Sequence, residues 1–500
     1  MAIDNKLTSS AKVLLAAIFL LAALVRLVDL TDAPLELHPT RQMRAALIAR
    51  AFYYPTNPEI PTEKVVFATE QIKQVGVIEP SILEFLTAQL YRLTGAESPW
   101  LGRLISISFW LAGGWAVFAL SREMGNLSGG ILALVYYLFL PFGLLFSRTL
   151  LPDPMMIATA VLGLWGLYRW ANTRQIGWAF FTCLLTGFSI LSKSVAGIFL
   201  ILPFATFLLS RISLKEALKN KQVWIIFALA AAPSAAYYFW GLVLDGRLAT
   251  QFSGRFFPEL WKDLLLYKSW GKRIMIEFGL PAFLLAMAGI MLARDKADRR
   301  LLFFWWVGYF VYGIIFAYHI MTHDYYHLPM VPLTAVSIGA AVSGLIEIAN
   351  KKGWKKQALV IIVVTGVVFT AWGTITSVQF VRQTDYRLIE QSLTTLGEQL
   401  DALPEGRTVA LSEDYETSLK YYTFRNFGHW PHLGDLNYYE LQGAGEQELE
   451  TLWEKNTVGA SYFLVTDEKE LIRQPLLADQ LSAFPTLLMT NSYTLYDLRQ

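Results

Sequence analysis

Polar residues with chemical capability gather at four places in this chain, each beside a long apolar run. The first follows an opening apolar stretch and holds Asp29, Asp32, Glu36, His38, Arg41, Gln42, Arg44 and Arg50. The second is the turn Ser147-Arg148-Thr149-Leu150-Leu151-Pro152-Asp153-Pro154. The third holds His319, His323, Asp324, Tyr325, Tyr326 and His327, and the fourth is Lys193 alone between two apolar segments. Arginine and lysine hold anions, histidine and tyrosine donate to phosphate or sugar oxygens, and a carboxylate takes a proton from a hydroxyl. Together they suit a lipid-linked anion with a reactive group beyond it. Each ionisable group at membrane depth costs about 2.5–3.5 kcal/mol on insertion scales, so each needs a partner or a wet cavity.

Each group also has a plainer reading. Pro39 starts a helix whose Ala-Ala-Leu-Ile-Ala string suggests an amphipathic segment lying on the membrane, with Arg44 and Arg50 on headgroups. Anchoring leaves the carboxylates and His38 unexplained, whereas a helix start beside arginines makes an anion site. Asp153 has the position of an N-cap, which is compatible with a functional role. Lys193 either snorkels or pairs with a buried phosphate. His319 and His323 are four apart, but no glutamate stands between them in the zinc-protease arrangement, so no metal is expected.

The elements that position these groups are membrane helices. Of 500 residues, 54% are hydrophobic and only 16% charged, and the mean hydropathy is +0.40. A soluble chain carries about 25% charged residues. The shortfall excludes disorder, a nucleic-acid-binding domain and an ordinary soluble enzyme. Cys183 is the one cysteine, which excludes an intrachain disulfide and a multi-cysteine metal site. Neither a Walker sequence, nor a dinucleotide glycine pattern, nor Gly-x-Ser-x-Gly is present. No organic cofactor is implied.

The apolar runs are Leu14–Leu30, Leu101–Leu120, Gly130–Phe146, Met155–Trp170, Ile176–Leu191, Val195–Leu209, Val223–Leu244, Phe278–Leu292, Leu301–Tyr318, Leu328–Ile346 and Ala358–Ile375. They predict about eleven spans, several shorter than the roughly 20 residues of a straight crossing. The pair flanking Lys193 also reads as one broken helix. Placing Lys6 and Lys12 in the cytoplasm puts Arg122, Arg169, Arg174, Arg211 to Lys221, Arg294 to Arg300, and Lys351 to Lys356 on the same side. The opposite short loops carry only Arg148 and Lys193. This is the positive-inside pattern. It places the N-terminus in the cytoplasm of a multi-pass plasma or inner-membrane protein and all four polar groups at the outer face.

Three longer pieces then lie outside: Thr31–Pro99, Asp245–Glu277 and the tail from about Thr376. We expect a transmembrane domain over residues 1–375, with its long loop at 31–99, and an extracytoplasmic α/β domain over 376–500. Thr408–Leu411 and Ser461–Thr466 read as strands, Glu446–Glu454 and Glu468–Leu481 as helices, the second broken at Pro475. Leu487–Thr490 and Tyr493–Leu498 read as a closing hairpin. The tail's expected role is acceptor selection or capping of the cavity.

Certain strings resemble a known family. His38-Pro-Thr-Arg-Gln, Glu79-Pro80-Ser-Ile-Leu-Glu-Phe-Leu, Leu93-Thr-Gly95, Trp100-Leu-Gly-Arg103-Leu, Ser147-Arg148 with Pro152-Asp153-Pro154, Leu191-Ser-Lys193 and Tyr325-Tyr326-His327-Leu-Pro329 occur in order. In that order they resemble the GT-C glycosyltransferases, in particular glycosyltransferase family 39, with its protein O-mannosyltransferases and aminoarabinose transferases. The resemblance covers roughly Leu14–Ile375. It implies a polyprenyl-phosphate sugar donor, a protein, lipid or glycan acceptor on the outer face, inversion at the anomeric carbon, and an acidic base in the first outer loop. Many members carry an acidic residue directly after the loop proline, where this chain has Thr40 and Arg41. The base is then expected at Glu36, next at Asp153, then at Asp32. Donor binding is expected from His38, Arg41, Gln42, Arg44, Arg148, Lys193, His323, Asp324 and Tyr326. A secondary transporter or flippase is the alternative, but its charges would lie near mid-membrane and its sequence would show repeats. A scaffold displaying the tail would leave the first-loop cluster without a purpose.

Overall fold

The computed structural model describes residues 7–75, 78–248, 256–443 and 448–499. Lys6 and the first residues of the expected helix Glu446–Glu454 lie outside these; a helix runs over Leu449–Thr457. The chain forms two compact units, one of Met1–Leu30, Val77–Ile82 and Gly102–Gln383, the other of Thr31–Gly76, Leu83–Leu101 and Thr384–Gln500. The first long loop thus groups with the tail.

In the first unit every one of the apolar runs is helical. Among the described residues, five helical stretches are long and apolar enough to cross a membrane, including Ser9–Arg26, Trp100–Met124 and Lys221–Leu244. A sixth counts if Leu264–Glu277 and Leu280–Leu292, bent by 97°, form one span. The bend falls at Gly279, whose φ of 78° is open to glycine but strained for other residues. The remaining helices are shorter because breakers interrupt them. Pro141 divides Leu127–Phe139 from Pro141–Phe146, and extended backbone at Lys193 ends Ile176–Ser192 before Ala196–Arg211 begins. Small residues let these helices approach closely. A side chain at Gly289 would meet the Ser337 carbonyl oxygen at 2.0 Å, well inside contact distance.

The second unit contains a five-stranded sheet: β1 Arg407–Leu411, β2 Phe427–His429, β3 Ala460–Val465, β4 Thr486–Met489 and β5 Thr494–Asp497, in the order β2-β1-β3-β5-β4. β1 is parallel to β2 and β3, whereas β5 is antiparallel to both β3 and β4. The sheet is covered on both faces, which the near-continuous apolar runs of β1 and β3 require. Ala410 and Leu464 pack with Leu393, Leu396 and Leu400, while Val409, Leu411 and Phe463 pack with Trp430, Leu452 and Leu477. The expected break at Pro475 separates helices Glu468–Arg473 and Pro475–Ser482.

Helix Pro39–Tyr53 corrects one expectation. It is buried over most of its length within the second unit, from Gln42 to Ala51, and does not present the single apolar face of a surface-lying segment. Its alanines Ala45, Ala46, Ala49 and Ala51 are small enough to admit neighbours on several sides.

Candidate functional site

In the first unit three expected site residues meet, Asp153, Lys193 and Tyr326. The Lys193 ammonium donates to both oxygens of Asp153, at 2.9 and 3.1 Å, with both side chains largely buried. Asp153 opens helix Asp153–Thr173, and the break after Ser192 swings Lys193 out of the helical path. The ammonium also lies over the rings of Tyr325 and Tyr326, 4.8 and 5.2 Å from their centres. Tyr326 is fixed by stacking on Tyr312, the planes 8° apart. Beside this cluster is a cavity of ≈ 170 Å³ lined by Glu79, Lys193, Ser194, Tyr238 and Tyr326 among others. A cation, a carboxylate and tyrosines lining one cavity can hold a phosphate and a polyhydroxylated group beside it.

The other expected residues of this unit take structural positions. Arg148 is buried and donates to the carbonyls of Val28 and Asp29, at 2.6 and 3.0 Å. It therefore pins the chain that leaves the first helix. Arg26 does related work, with bonds to Ser147 Oγ and to the Leu138 and Ala22 carbonyls. His323 Nδ1 shares a hydrogen bond with Thr322, and its ring packs on Tyr325 and Tyr326. His327 bonds Tyr309 and the Ile320 carbonyl. Asp324 opens the short 3-10 turn Asp324–His327.

The second unit holds the first-loop candidates. His38, with φ of 49°, precedes the Pro39 helix, where Gln42 donates to the Leu37 carbonyl. Arg41 follows on its first turn, and its backbone N–H bonds the His38 carbonyl. Glu36 is half-buried before that helix. Arg44 donates to the Val75 carbonyl, and Asp32 pairs with Arg387 at 2.7 Å. Burial and nearby Asp32 raise the Glu390 carboxyl above its ordinary value. Arg50 pairs with Glu97 at 2.8 Å, donates to the Tyr421 carbonyl and lies 3.6 Å over the Tyr421 ring. Glu97 also accepts from the hydroxyls of Tyr54 and Tyr421.

Sequence reasoning did not single out a histidine cluster beyond β1 and β2. His429 Nδ1 bonds Glu416 at 2.9 Å, and its Nε2 lies 3.6 Å from Asp435. His432 lies 3.6 Å from Asp435 and 3.7 Å from Asp467, and the Tyr415 hydroxyl donates to Asp435. Burial opposes charge on His429, but Asp435 and Glu416 outweigh it and push its pKa up to about 9. Burial likewise opposes ionised Asp435, and contacts with His429, His432 and Tyr415 overcome it and hold this carboxyl well below its ordinary value.

Residues 79–240 match the family described as dolichyl-phosphate-mannose-protein mannosyltransferase. That stretch includes Glu79, Asp153 and Lys193. ArnT from Cupriavidus metallidurans, bound to undecaprenyl phosphate, is 13% identical and similar in fold over 98% of this chain and 98% of its own, with a TM-score of 0.61. The Archaeoglobus fulgidus oligosaccharyltransferase AglB, in complex with an inhibitory peptide and a dolichol-phosphate, is 13% identical over 92% of this chain and 70% of its own, with a TM-score of 0.54. No curated protein matches in sequence. The fold is the GT-C fold, and within it the stretch that carries the Lys193–Asp153 pair is similar to a family of lipid-linked-sugar glycosyltransferases.

Proposed function

We propose that the protein transfers a sugar from a polyprenyl-phosphate donor to an acceptor on the extracytoplasmic face, with inversion at the anomeric carbon. The observation that carries this reading is the Lys193–Asp153 pair beside the Glu79 cavity, within the family-matched stretch. Similar structures hold undecaprenyl phosphate and a dolichol-phosphate, which supports a lipid phosphate as donor. The phosphate is an acidic leaving group and needs no general acid. It needs a cation against its developing charge, and Lys193 supplies one where water is scarce. Asp153 positions that ammonium; both its oxygens already accept from it. Glu79, on the same cavity, takes the acceptor hydroxyl's proton as the new bond forms. Glu36 is the second candidate base, since it precedes a first-loop helix. Arg148 acts as a brace of the chain after the first helix.

The test uses purified protein in lipid vesicles with labelled polyprenyl-phosphate sugar. Lys193→Met should reduce release of polyprenyl phosphate by about 10²–10³-fold, the range for losing one preorganised charge partner. Full release in Lys193→Met would refute the donor assignment. Loss of transfer in Glu36→Gln with full transfer in Glu79→Gln would move the base to the first loop. Movement of the intact lipid-linked sugar across the bilayer, without cleavage, would make the protein a flippase.

A further inference from the structure

The sheet of the second unit has a topological switch point. β1 and β3 are adjacent and parallel, yet the chain leaving β1 goes to β2 on one side and the chain leaving β3 goes to β4 and β5 on the other. Loops that depart in opposite directions leave a crevice beyond the carboxyl ends of the strands, and open α/β sheets hold ligands there. This sheet has a cavity of ≈ 430 Å³ at that place. Glu413 and Asp414 line it from the loop after β1, and Asp467, Glu468 and Lys469 from the loop after β3. Further wall comes from helix Tyr386–Asp401, with Tyr386 and Ser392, from Leu35 and Pro39 of the first loop, and from Asn491 and Ser492 between β4 and β5.

The lining selects a class of ligand. Asp414 is committed to the start of helix Thr417–Thr423, accepting from Ser418 N at 2.7 Å and Thr417 Oγ1 at 3.0 Å. Asp467 caps the next helix through Glu470 N at 3.0 Å. Glu413 and Glu468 stand exposed at the rim. Four carboxylates against one lysine repel an anion and accept from hydroxyl or ammonium groups. The Tyr386 ring and Leu393 add an apolar wall suited to the C–H face of a sugar. The volume falls in the ordinary range for small-ligand pockets, about 300–1,000 Å³.

We propose that this pocket binds a saccharide unit, neutral or amino-bearing, separately from the Lys193 cavity. The proposal does not rest on the transfer reading, because binding is measured without donor. Full-length protein in lipid nanodiscs is titrated with glucosamine, glucose and glucuronate by ligand-observed NMR. Saturable binding of glucosamine or glucose, with glucuronate at least about tenfold weaker, is expected. The double variant Glu413→Gln/Glu468→Gln, at exposed positions that do not carry the fold, should weaken glucosamine by about tenfold. Ser392→Trp fills the pocket and should abolish binding; should it misfold, the glutamine pair still decides. Lys193→Met should bind the probes as the unaltered protein does. Failure of both glucosamine and glucose to saturate, equal binding of glucuronate, undiminished binding in the glutamine pair, or loss of binding in Lys193→Met would each overturn the proposal.

Discussion

Both units bury an ion pair, and the pairs are built to different ends. In the second unit Arg50 has a carboxylate on one side, a backbone carbonyl on another and an aromatic face above, and Glu97 takes two tyrosine hydroxyls besides. That arrangement ties distant parts of the unit together, and it also borders a cavity of ≈ 300 Å³ lined by Arg50, Glu97 and Tyr421 among others. In the first unit Lys193 has three N–H groups, of which a single carboxylate engages two at most. Its other neighbours are two ring faces and a cavity. Burial and pairing alone therefore do not mark a site. Both cations border a cavity, and what separates the two is their partners: a carboxylate, a backbone carbonyl and a close aromatic face for Arg50, one carboxylate and two more distant ring faces for Lys193.

The comparison breaks most directly at Glu97. Removing one partner of a buried pair leaves an uncompensated charge, at a cost of about 3–5 kcal/mol. Glu97→Leu should therefore lower the thermal midpoint of the second unit strongly, seen as early proteolysis of the tail on heating. Replacing both members, Arg50→Met with Glu97→Leu, should recover much of that loss. A Glu97→Leu protein as stable as the parent would mean that the network carries little of the fold.

Next in size is the Lys193–Asp153 pair. Lys193→Met leaves the buried Asp153 carboxylate without its cation and so should lower the melting point of the first unit as well; beyond that it should show its effect in catalysis, as a loss of about 2.7–4 kcal/mol of transition-state stabilisation. Single-turnover cleavage of the labelled donor measures it. Asp153→Asn keeps a hydrogen-bonding oxygen near the ammonium but removes the charge. Its effect should be smaller than that of Lys193→Met and should appear in kcat more than in KM. If Asp153→Asn instead destabilises the fold as Glu97→Leu does, the two pairs are alike and the contrast is lost.

The sequence made the Lys193–Asp153 pair easier to see than the Arg50–Glu97 pair. Lys193 and Asp153 interrupt apolar runs, so their cost in lipid draws attention. Glu97 and Tyr421 sit in loop and tail, where polar residues are ordinary, and their partner Arg50 looks like a headgroup anchor. Glu79 was visible within a family-like string, but that it lines one cavity with Lys193 brings together distant parts of the chain, which spacing cannot reveal. The helices of the first unit followed from apolar runs, while their lengths depended on breaks at Pro141, Gly279 and Lys193. In the tail, β1, β3 and the terminal hairpin were legible as apolar strings. β2 was not, because Phe427–His429 is three residues long with glycine at its centre. Helix Pro39–Tyr53 was misplaced on the membrane because alanines fit either a surface or a crowded interior.

The smallest effect lies at the histidine cluster beyond β1 and β2, where protons rather than ligands fill the contacts. His429 has an ordinary pKa of 6.5 and is pushed up to about 9 in the folded chain, so the fold binds a proton there more tightly than the unfolded chain does. Its contribution is complete below about pH 6.5 and is lost as pH rises towards 9. Asp435 runs the other way. Its folded value is held below the ordinary 3.8, so its contribution is present above that pH and fades on further acidification. Stability of the second unit should therefore be greatest between about pH 4 and 6.5 and decline on both sides, the alkaline decline being on the order of 2 kcal/mol. Melting followed from pH 3 to 10 would trace this window. His429→Gln should flatten the alkaline arm and leave the acid arm partly in place, because His432 and Tyr415 still face Asp435. An alkaline arm that survives His429→Gln would assign the proton to another group in the cluster, with His432 the first to test.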